Sequence, residues 1–281
     1  MRKATKFLFS VSLVLFYVCA DAAVNSDQVA DNYPAHEQRV RNLLDLSGLD
    51  KQIDAFPGTI KQGIAMAMQA SGSALPVDLA QSLNAAVDRA VVPYNIKTAI
   101  GTSLFNNLNA RNLNVLFKWY ESDIGKRIAA AEVAASSEAA VQEMMSSIQE
   151  LMGDADSVST AMEIDDIVGA TDSGMRIQLN IQVATIIGVQ KAANPNQSID
   201  PEVLKEQINA QLEAGRADMR NMVVASFVYT YKDFSDSDMQ EYIEFLKTDS
   251  AKNFYRIVMS GIEMEIGKAG EVFAEMLAPK P

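Results

Sequence analysis

The stretch L-N-V-L-F-K-W-Y-E-S-D-I-G-K-R-I, residues 113–128, sets the pattern for most of the chain. Its side chains Leu113, Leu116, Phe117 and Tyr120 recur at the i, i+3, i+4, i+7 spacing of one buried face of an α-helix. Short alternating Val, Ile and Thr runs, which indicate β-strands, are weak throughout. Since the prolines also fall near expected helix ends, the sequence predicts an all-α fold.

The same pattern returns 126 residues later in M-Q-E-Y-I-E-F-L-K-T-D-S-A-K-N-F, residues 239–254. In this register Trp119 falls on Phe245, on the flank of the buried face. The expected helix caps Asn109 and Ser235 also coincide. A large aromatic at one flank position in both segments favours a shared interface, although a neighbouring helix of the same segment would also bury each ring.

Two earlier segments match in the same order, among them L-S-G-L at 46–49 over I-V-G-A at 167–170, an offset of 121. Any two amphipathic helices can be aligned with each other, but several segments that match in the same order favour a duplication of the sequence. The sequence therefore predicts a helical bundle of two pseudo-repeats with about four to five helices each. We place repeat 1 at residues 36–152, a linker at 153–157 and repeat 2 at 158–281.

The N-terminus has the layout of a secretory signal peptide. A basic head precedes the twelve-residue apolar run Phe7–Val18, which is too short to span a bilayer. The small residues flanking Asp21 fit a cleavage site, so we predict a signal peptide at residues 1–22, cut between Ala22 and Ala23. A lipid anchor on Cys19 and an uncleaved membrane anchor are the alternatives. Residues 23–35 then form a flexible mature N-terminus, and the location is the periplasm.

The amino-acid composition excludes several kinds of functional site. The 281 residues contain one Cys and one His, too few for a disulfide framework, a Cys-based metal site or a His-based triad. The net charge is −12, and loss of residues 1–22 leaves 21 basic against 35 acidic residues, a net charge of −14. That charge disfavours nucleic acid. We predict no catalytic residue, cofactor or metal site, and no transmembrane segment after signal removal. The single His36 is expected to be solvated.

The segment F-K-W-Y-E-S-D-I-G-K, residues 117–126, resembles a helical domain-of-unknown-function family of exported proteobacterial proteins. That family carries an aromatic-Tyr-x-Ser-x-x-Gly-Lys/Gln motif. The first segment matches it through Trp119, Tyr120, Ser122, Gly125 and Lys126. The second keeps the aromatic residue and the lysine but departs elsewhere, and its corresponding residues are Phe245, Leu246, Thr248, Ala251 and Lys252. The resemblance implies an all-α periplasmic domain and no known activity.

The motif also has a structural interpretation. Ser122 and Thr248 can each cap a new helix, with an aspartate in its positive first turn. The small residues Gly125 and Ala251 would let a neighbouring helix approach closely. Residues 129–152 are expected to continue as one Ala-rich helix.

Three function classes remain open. The first is a non-enzymatic envelope protein that binds a protein or peptide partner, and the second is a binder of a small apolar or lipid-like ligand between the two halves. The third is a hydrolase that uses carboxylates alone, although acid pairs are too common in so acidic a chain to be diagnostic. Facing carboxyls in a deep cleft would favour the hydrolase, and an apolar tunnel would favour the ligand binder.

Overall fold

The computed structural model describes residues 33–70, 77–193 and 200–277, and within these ranges it contains no β-strand. The predicted all-α fold is therefore confirmed. Ala22 and Ala23, with the rest of the predicted signal peptide and its cleavage site, lie outside the described residues.

Two series of six helices are joined by two short helices. The first half of the chain, residues 33–152, contains α1 (Tyr33–Leu46), α2 (Leu49–Ala70), α3 (Val77–Ala90), α4 (Pro93–Asn107), α5 (Ala110–Tyr120), α6 (Asp123–Ala135), α7 (Glu138–Ser146) and α8 (Ile148–Leu151). The second half, residues 155–277, contains α9 (Ala155–Val168), α10 (Ala170–Ala193), α11 (Pro201–Glu213), α12 (Arg216–Tyr231), α13 (Asp236–Leu246) and α14 (Asp249–Leu277).

The two halves agree in the order of their helices and closely in the lengths of the first five, whereas α14 is much longer than α6. Helices α1 to α6 contain 14, 22, 14, 15, 11 and 13 residues, and α9 to α14 contain 14, 24, 13, 16, 11 and 29. The junctions α1–α2 and α9–α10 each contain a glycine with positive φ, +73° at Gly48 and +59° at Gly169. Glycine adopts this conformation without steric cost. The offset of 121 residues places these two glycines on each other.

The halves pack on each other reciprocally. Helix α14 contacts α4 and α5 of the first half, and α6 contacts α12 and α13, which occupy the corresponding places in the second half. One apolar core includes residues of both halves. Where they meet, the rings of Trp119 and Phe245 stack with centroids 4.4 Å apart and planes 5° apart, and each residue is 7% exposed. The structure confirms that these two aromatics bury the contact between the halves.

The prediction of one continuous helix over residues 129–152 is wrong. The Ser137 hydroxyl accepts from the backbone N–H of Ala140 at 3.3 Å and begins α7, and the Ser136 hydroxyl donates to the carbonyl of Val133 at 2.7 Å. Such serines offer the backbone hydrogen bonds that compete with a continuing helix. Breaks of this kind raise the count to fourteen described helices, above the predicted eight to ten.

Two helices also begin earlier than expected. Helix α1 starts at Tyr33, inside the segment expected to be a flexible tail. Helix α9 starts at Ala155, inside the expected linker, because the Asp154 carboxylate accepts from the backbone N–H groups of Asp156 and Ser157 and caps it.

Candidate functional site

The motif residues form the turn between α5 and α6. The Ser122 hydroxyl accepts from the backbone N–H of Gly125 at 3.0 Å and donates to the carbonyl of Trp119 at 2.6 Å. In the second half, the Thr248 hydroxyl accepts from the N–H of Ala251 at 3.2 Å and donates to a carbonyl at 2.8 Å. Both hydroxyls therefore cap helices, as the sequence predicts.

Position 125 requires a small residue, but the structural reason differs from the expected one. A Cβ atom at Gly125 would lie 2.0 Å from the carbonyl oxygen of Trp119, so the close approach is to the preceding turn and not to a neighbouring helix. Ala251 is fully buried at the corresponding place. Lys126 is exposed and Lys252 is half-buried.

A buried polar group also lies between the halves. We call it the tyrosine cluster, and it consists of Glu132, Tyr120, Tyr231, Tyr242 and Tyr255. The hydroxyls of Tyr242 and Tyr231 donate to Oε1 of Glu132 at 2.9 and 3.1 Å. The hydroxyl of Tyr255 lies 3.4 Å from that of Tyr242 and 3.3 Å from that of Tyr120. Tyr120 thus has the hydroxyl partner that its buried position requires.

Burial dominates the electrostatics of the tyrosine cluster. It raises the pKa of Glu132 to about 8, since hydrogen bonds from Tyr242 and Gln52 offset the loss of hydration only in part. Burial also raises the pKa of each tyrosine hydroxyl above its ordinary value. The carboxyl therefore changes charge near neutral pH while the hydroxyls around it stay protonated. Glu132 is 6% exposed, and its Oε1 accepts from the hydroxyls of Tyr231 and Tyr242.

Glu132 is not among the residues predicted from the sequence, although the sequence contains a pattern that indicates it. Ile124, Ile128 and Glu132 recur at i, i+4 and i+8 in α6, and the two isoleucines are buried. A carboxylate on an otherwise apolar helical stripe indicates a buried acid with polar partners.

The largest opening that we describe, the interhelix groove, lies in the first half between α1 and α4 and encloses a cavity of about 950 Å³. Apolar side chains and a glycine form its floor, and charged side chains and a tyrosine form its rim. The floor consists of Val40, Leu44, Gly101 and Phe105, and the rim includes Glu37, Arg41, Asp45, Asp50, Tyr94 and Lys97.

The cations on the rim already have anionic partners. Arg41 pairs with Glu37, and Lys97 pairs with Asp50 at 2.9 Å and with Asp54 at 2.8 Å. Partial burial lowers the pKa of Lys97, but its two carboxylate partners outweigh this effect and raise it overall. Both cations are thus held by the protein itself.

Two groups on the rim are available to a partner. The Asp45 carboxylate is exposed, and the described residues supply no ion pair to it. Tyr94 is 75% exposed, so its ring is accessible to a partner.

The corresponding region of the second half, between α9, α10 and α12, is largely filled. Two small cavities of about 200 and 60 Å³ lie there. At the offset of 123 residues, at which the starts and the buried faces of α4 and α12 coincide, the buried Val224 stands at the place of Gly101, and Arg220 stands at the place of Lys97. At the offset of 121, Asp166 stands at the place of Asp45. Of the three cavities described, the large one lies in the first half.

His36 differs from the prediction that it is solvated. Its Nε2 donates to the carbonyl of Phe105 at 3.0 Å, and the two rings pack edge to face with centroids 5.0 Å apart. These contacts of His36 with Phe105 link α1 to α4 beside the groove. Across the described ranges, no group of three or more His, Cys, Asp or Glu side chains is placed to hold a metal ion.

Residues 97–154 match the family model of an uncharacterized protein conserved in bacteria, DUF2059. This range contains the motif of Trp119–Lys126, so a bacterial domain-of-unknown-function family is supported there. No curated protein and no solved structure matches the chain. None of the described helices is long and apolar enough to cross a membrane.

Proposed function

We propose that the protein is an exported, non-enzymatic helical protein that binds a peptide or a segment of a partner protein in the interhelix groove. The observation that carries this proposal is the groove itself, which combines an apolar floor with a charged rim. Apolar contact surrounded by polar groups is the composition of protein-binding surfaces. The exposed ring of Tyr94 adds the kind of side chain that often dominates binding energy.

Export is the second part of the proposal. It rests on the basic head, the short apolar run and the small residues around Asp21, and the periplasm is the expected location. The family match within residues 97–154 is to a bacterial family and agrees with such a location.

The third part is that the two halves are diverged copies of one unit. The similar lengths of their first five helices, the paired glycines Gly48 and Gly169 and the reciprocal packing of α6 and α14 support it. Corresponding rings, Trp119 and Phe245, stack directly on each other, as expected beside an approximate twofold axis. One copy then retains an open groove and the other has filled it.

A small apolar or lipid-like ligand is the second candidate. The cavity volume of about 950 Å³ lies in the range of small-molecule sites, and its floor is apolar. Such a ligand would bind within the first half and not between the halves, because stacked rings and the tyrosine cluster occupy the contact between them. The carboxylate-only hydrolase gains no support from the groove, where Glu37 and Asp50 are engaged in ion pairs.

Site-specific photo-crosslinking in the native envelope tests the proposed function. A photoreactive phenylalanine replaces Tyr94 in one variant and Val203, a 49% exposed residue of α11, in the control. We expect a discrete protein or peptide adduct at Tyr94 only, and its loss when Gly101→Phe fills the groove. Adducts of equal yield at both positions, or an adduct at Tyr94 that persists in the Gly101→Phe background, would contradict binding in the groove.

A further inference from the structure

We propose that the tyrosine cluster makes the contact between the two halves pH-sensitive: as pH rises and Glu132 loses its proton, α6 separates locally from α12 and α13 while the rest of the fold stays intact. This opening is a conformational property of the contact between the halves and does not depend on what the groove binds. It follows from the place of the cluster, from the neutral partners of Glu132 and from the apolar counterparts of the cluster residues.

The tyrosine cluster spans the contact between the halves. Glu132 of α6 and Tyr120 of α5 belong to the first half. Tyr231 of α12, Tyr242 of α13 and Tyr255 of α14 belong to the second. Both tyrosine hydroxyls that donate to Oε1 of Glu132 therefore come from the other half, and the hydroxyls of Tyr120 and Tyr255 meet across the same contact at 3.3 Å. A change in the charge of Glu132 acts on this contact directly.

Uncharged partners face the Glu132 carboxyl from the helices packed around it. Besides the tyrosines, Gln52 of α2 donates to it, and the described residues supply no cation to it. The charged groups of the neighbouring helices are engaged or hydrated: Arg127 of α6 pairs with Asp238 of α13 at 3.1 Å, and Glu138 of α7 is exposed. Hydrogen bonds alone offset the lost hydration of a buried carboxylate only in part. The ionised form is therefore the one that the closed contact disfavours.

The corresponding place in the second half accepts an apolar side chain. At the offset of 126 residues, at which α5 and α13 start together and so do α6 and α14, Glu132 falls on Val258, which is 1% exposed. The places of Tyr120, Tyr242 and Tyr255 are likewise taken by the buried residues Leu246, Leu116 and Ala129. An apolar contact does not respond to pH, whereas a contact around a buried carboxyl weakens when the proton leaves. The polar version occurs on one side only.

Proton linkage sets the size of the effect. In the closed contact the pKa of Glu132 is about 8, and water that enters an open contact returns it toward its ordinary value of 4.5. Below pH 4.5 both forms hold the proton, and the contact is most stable. Between the two values opening releases a proton, so the ratio of open to closed protein rises about tenfold per pH unit and levels off above pH 8.

Amide hydrogen exchange of the protein purified from its full-length coding sequence tests the proposal, because it detects local openings that are rarely populated. We expect the amides of α6 around Ile128 to be less protected than those of α10 around the buried Ile177. Their protection factors should fall about a hundredfold between pH 5 and pH 7. In Glu132→Gln these protection factors should not vary with pH. The matched control Glu143→Gln, which alters an exposed carboxylate that also accepts from a tyrosine hydroxyl, should behave as the unaltered protein.

Three results would overturn the proposal. Equal protection factors in α6 and α10 at every pH would mean that only global unfolding exposes Glu132. Protection in α6 that stays constant between pH 5 and pH 7 would mean that the contact is not pH-sensitive. An equal fall in Glu132→Gln and in the unaltered protein would assign the titration to another group. The first two results come from the unaltered protein, so they decide even where Glu132→Gln does not fold.

Discussion

The substitution Glu132→Gln isolates the energetic effect of the tyrosine cluster. Glutamine keeps an oxygen that accepts from the hydroxyls of Tyr231 and Tyr242, at 3.1 and 2.9 Å in the unaltered protein, but it cannot ionise. The shape of the site changes little, so the variant reports the effect of charge. We expect it to be more stable than the unaltered protein at pH 8 and about equally stable at pH 5.

The magnitude follows from proton linkage. In the unfolded chain Glu132 ionises around its ordinary pKa of 4.5, whereas in the folded protein its pKa is raised to about 8. Between these values the folded state holds a proton that the unfolded state has released, so rising pH favours unfolding. The contribution is fully present below pH 4.5 and is lost as pH rises to 8. At about 1.4 kcal/mol per pH unit, the loss is roughly 4 kcal/mol between pH 5 and pH 8.

Chemical denaturation at pH 5, 6, 7 and 8 measures this effect as the difference in unfolding free energy between the two proteins. Other titrating groups contribute to both and cancel in the difference. Glu143→Gln is the control, because that exposed carboxylate also accepts from a tyrosine hydroxyl, that of Tyr229, yet its pKa is lowered by its partners. Parallel profiles for Glu132→Gln and the unaltered protein would refute the raised pKa and the energetic reasoning.

Three further predictions concern the core, two glycines and export. Trp119→Ala should cost about 3–5 kcal/mol and lower one cooperative transition for both halves, and two separate transitions in calorimetry would show independent halves. Gly101→Ala should stabilise by about 0.5–1 kcal/mol, whereas Gly125→Ala should destabilise by about 1–3 kcal/mol because of the Trp119 carbonyl. Chemical denaturation of both variants measures these changes in unfolding free energy. Equal changes in the two variants would contradict the packing argument. Intact mass of the exported protein should place its first residue at Ala23, and a lipid on a retained Cys19 would contradict cleavage there.

The parts of the fold that sequence predicts are those governed by local interactions. The caps Asn109 and Ser235 and the turn at Ser122 depend on a side chain and a backbone N–H within three residues. The contact between Trp119 and Phe245 was also predictable, because the flank of a helical stripe identifies a side chain that needs a neighbour.

The tyrosine cluster and the groove depend on distant parts of the chain. Glu132 is buried because tyrosines from α5, α12, α13 and α14 converge on it, and no local pattern specifies that convergence. The groove is lined by residues of α1, α2 and α4, and no local pattern in the sequence specifies the packing that leaves it open. The serine pair that ends α6 was missed because its alanine-rich surroundings favour a continuous helix.

Backbone amide shifts during titration with the peptide captured by crosslinking at Tyr94 test binding in the groove most directly. We predict that the largest shifts fall on α1 and α4, around Asp45, Tyr94 and Gly101, and that α9 and the first turns of α12 stay unchanged. Shifts centred on the second half, around Asp166 and Arg220, or shifts spread evenly over the acidic surface, would contradict the assignment of the groove as the binding site.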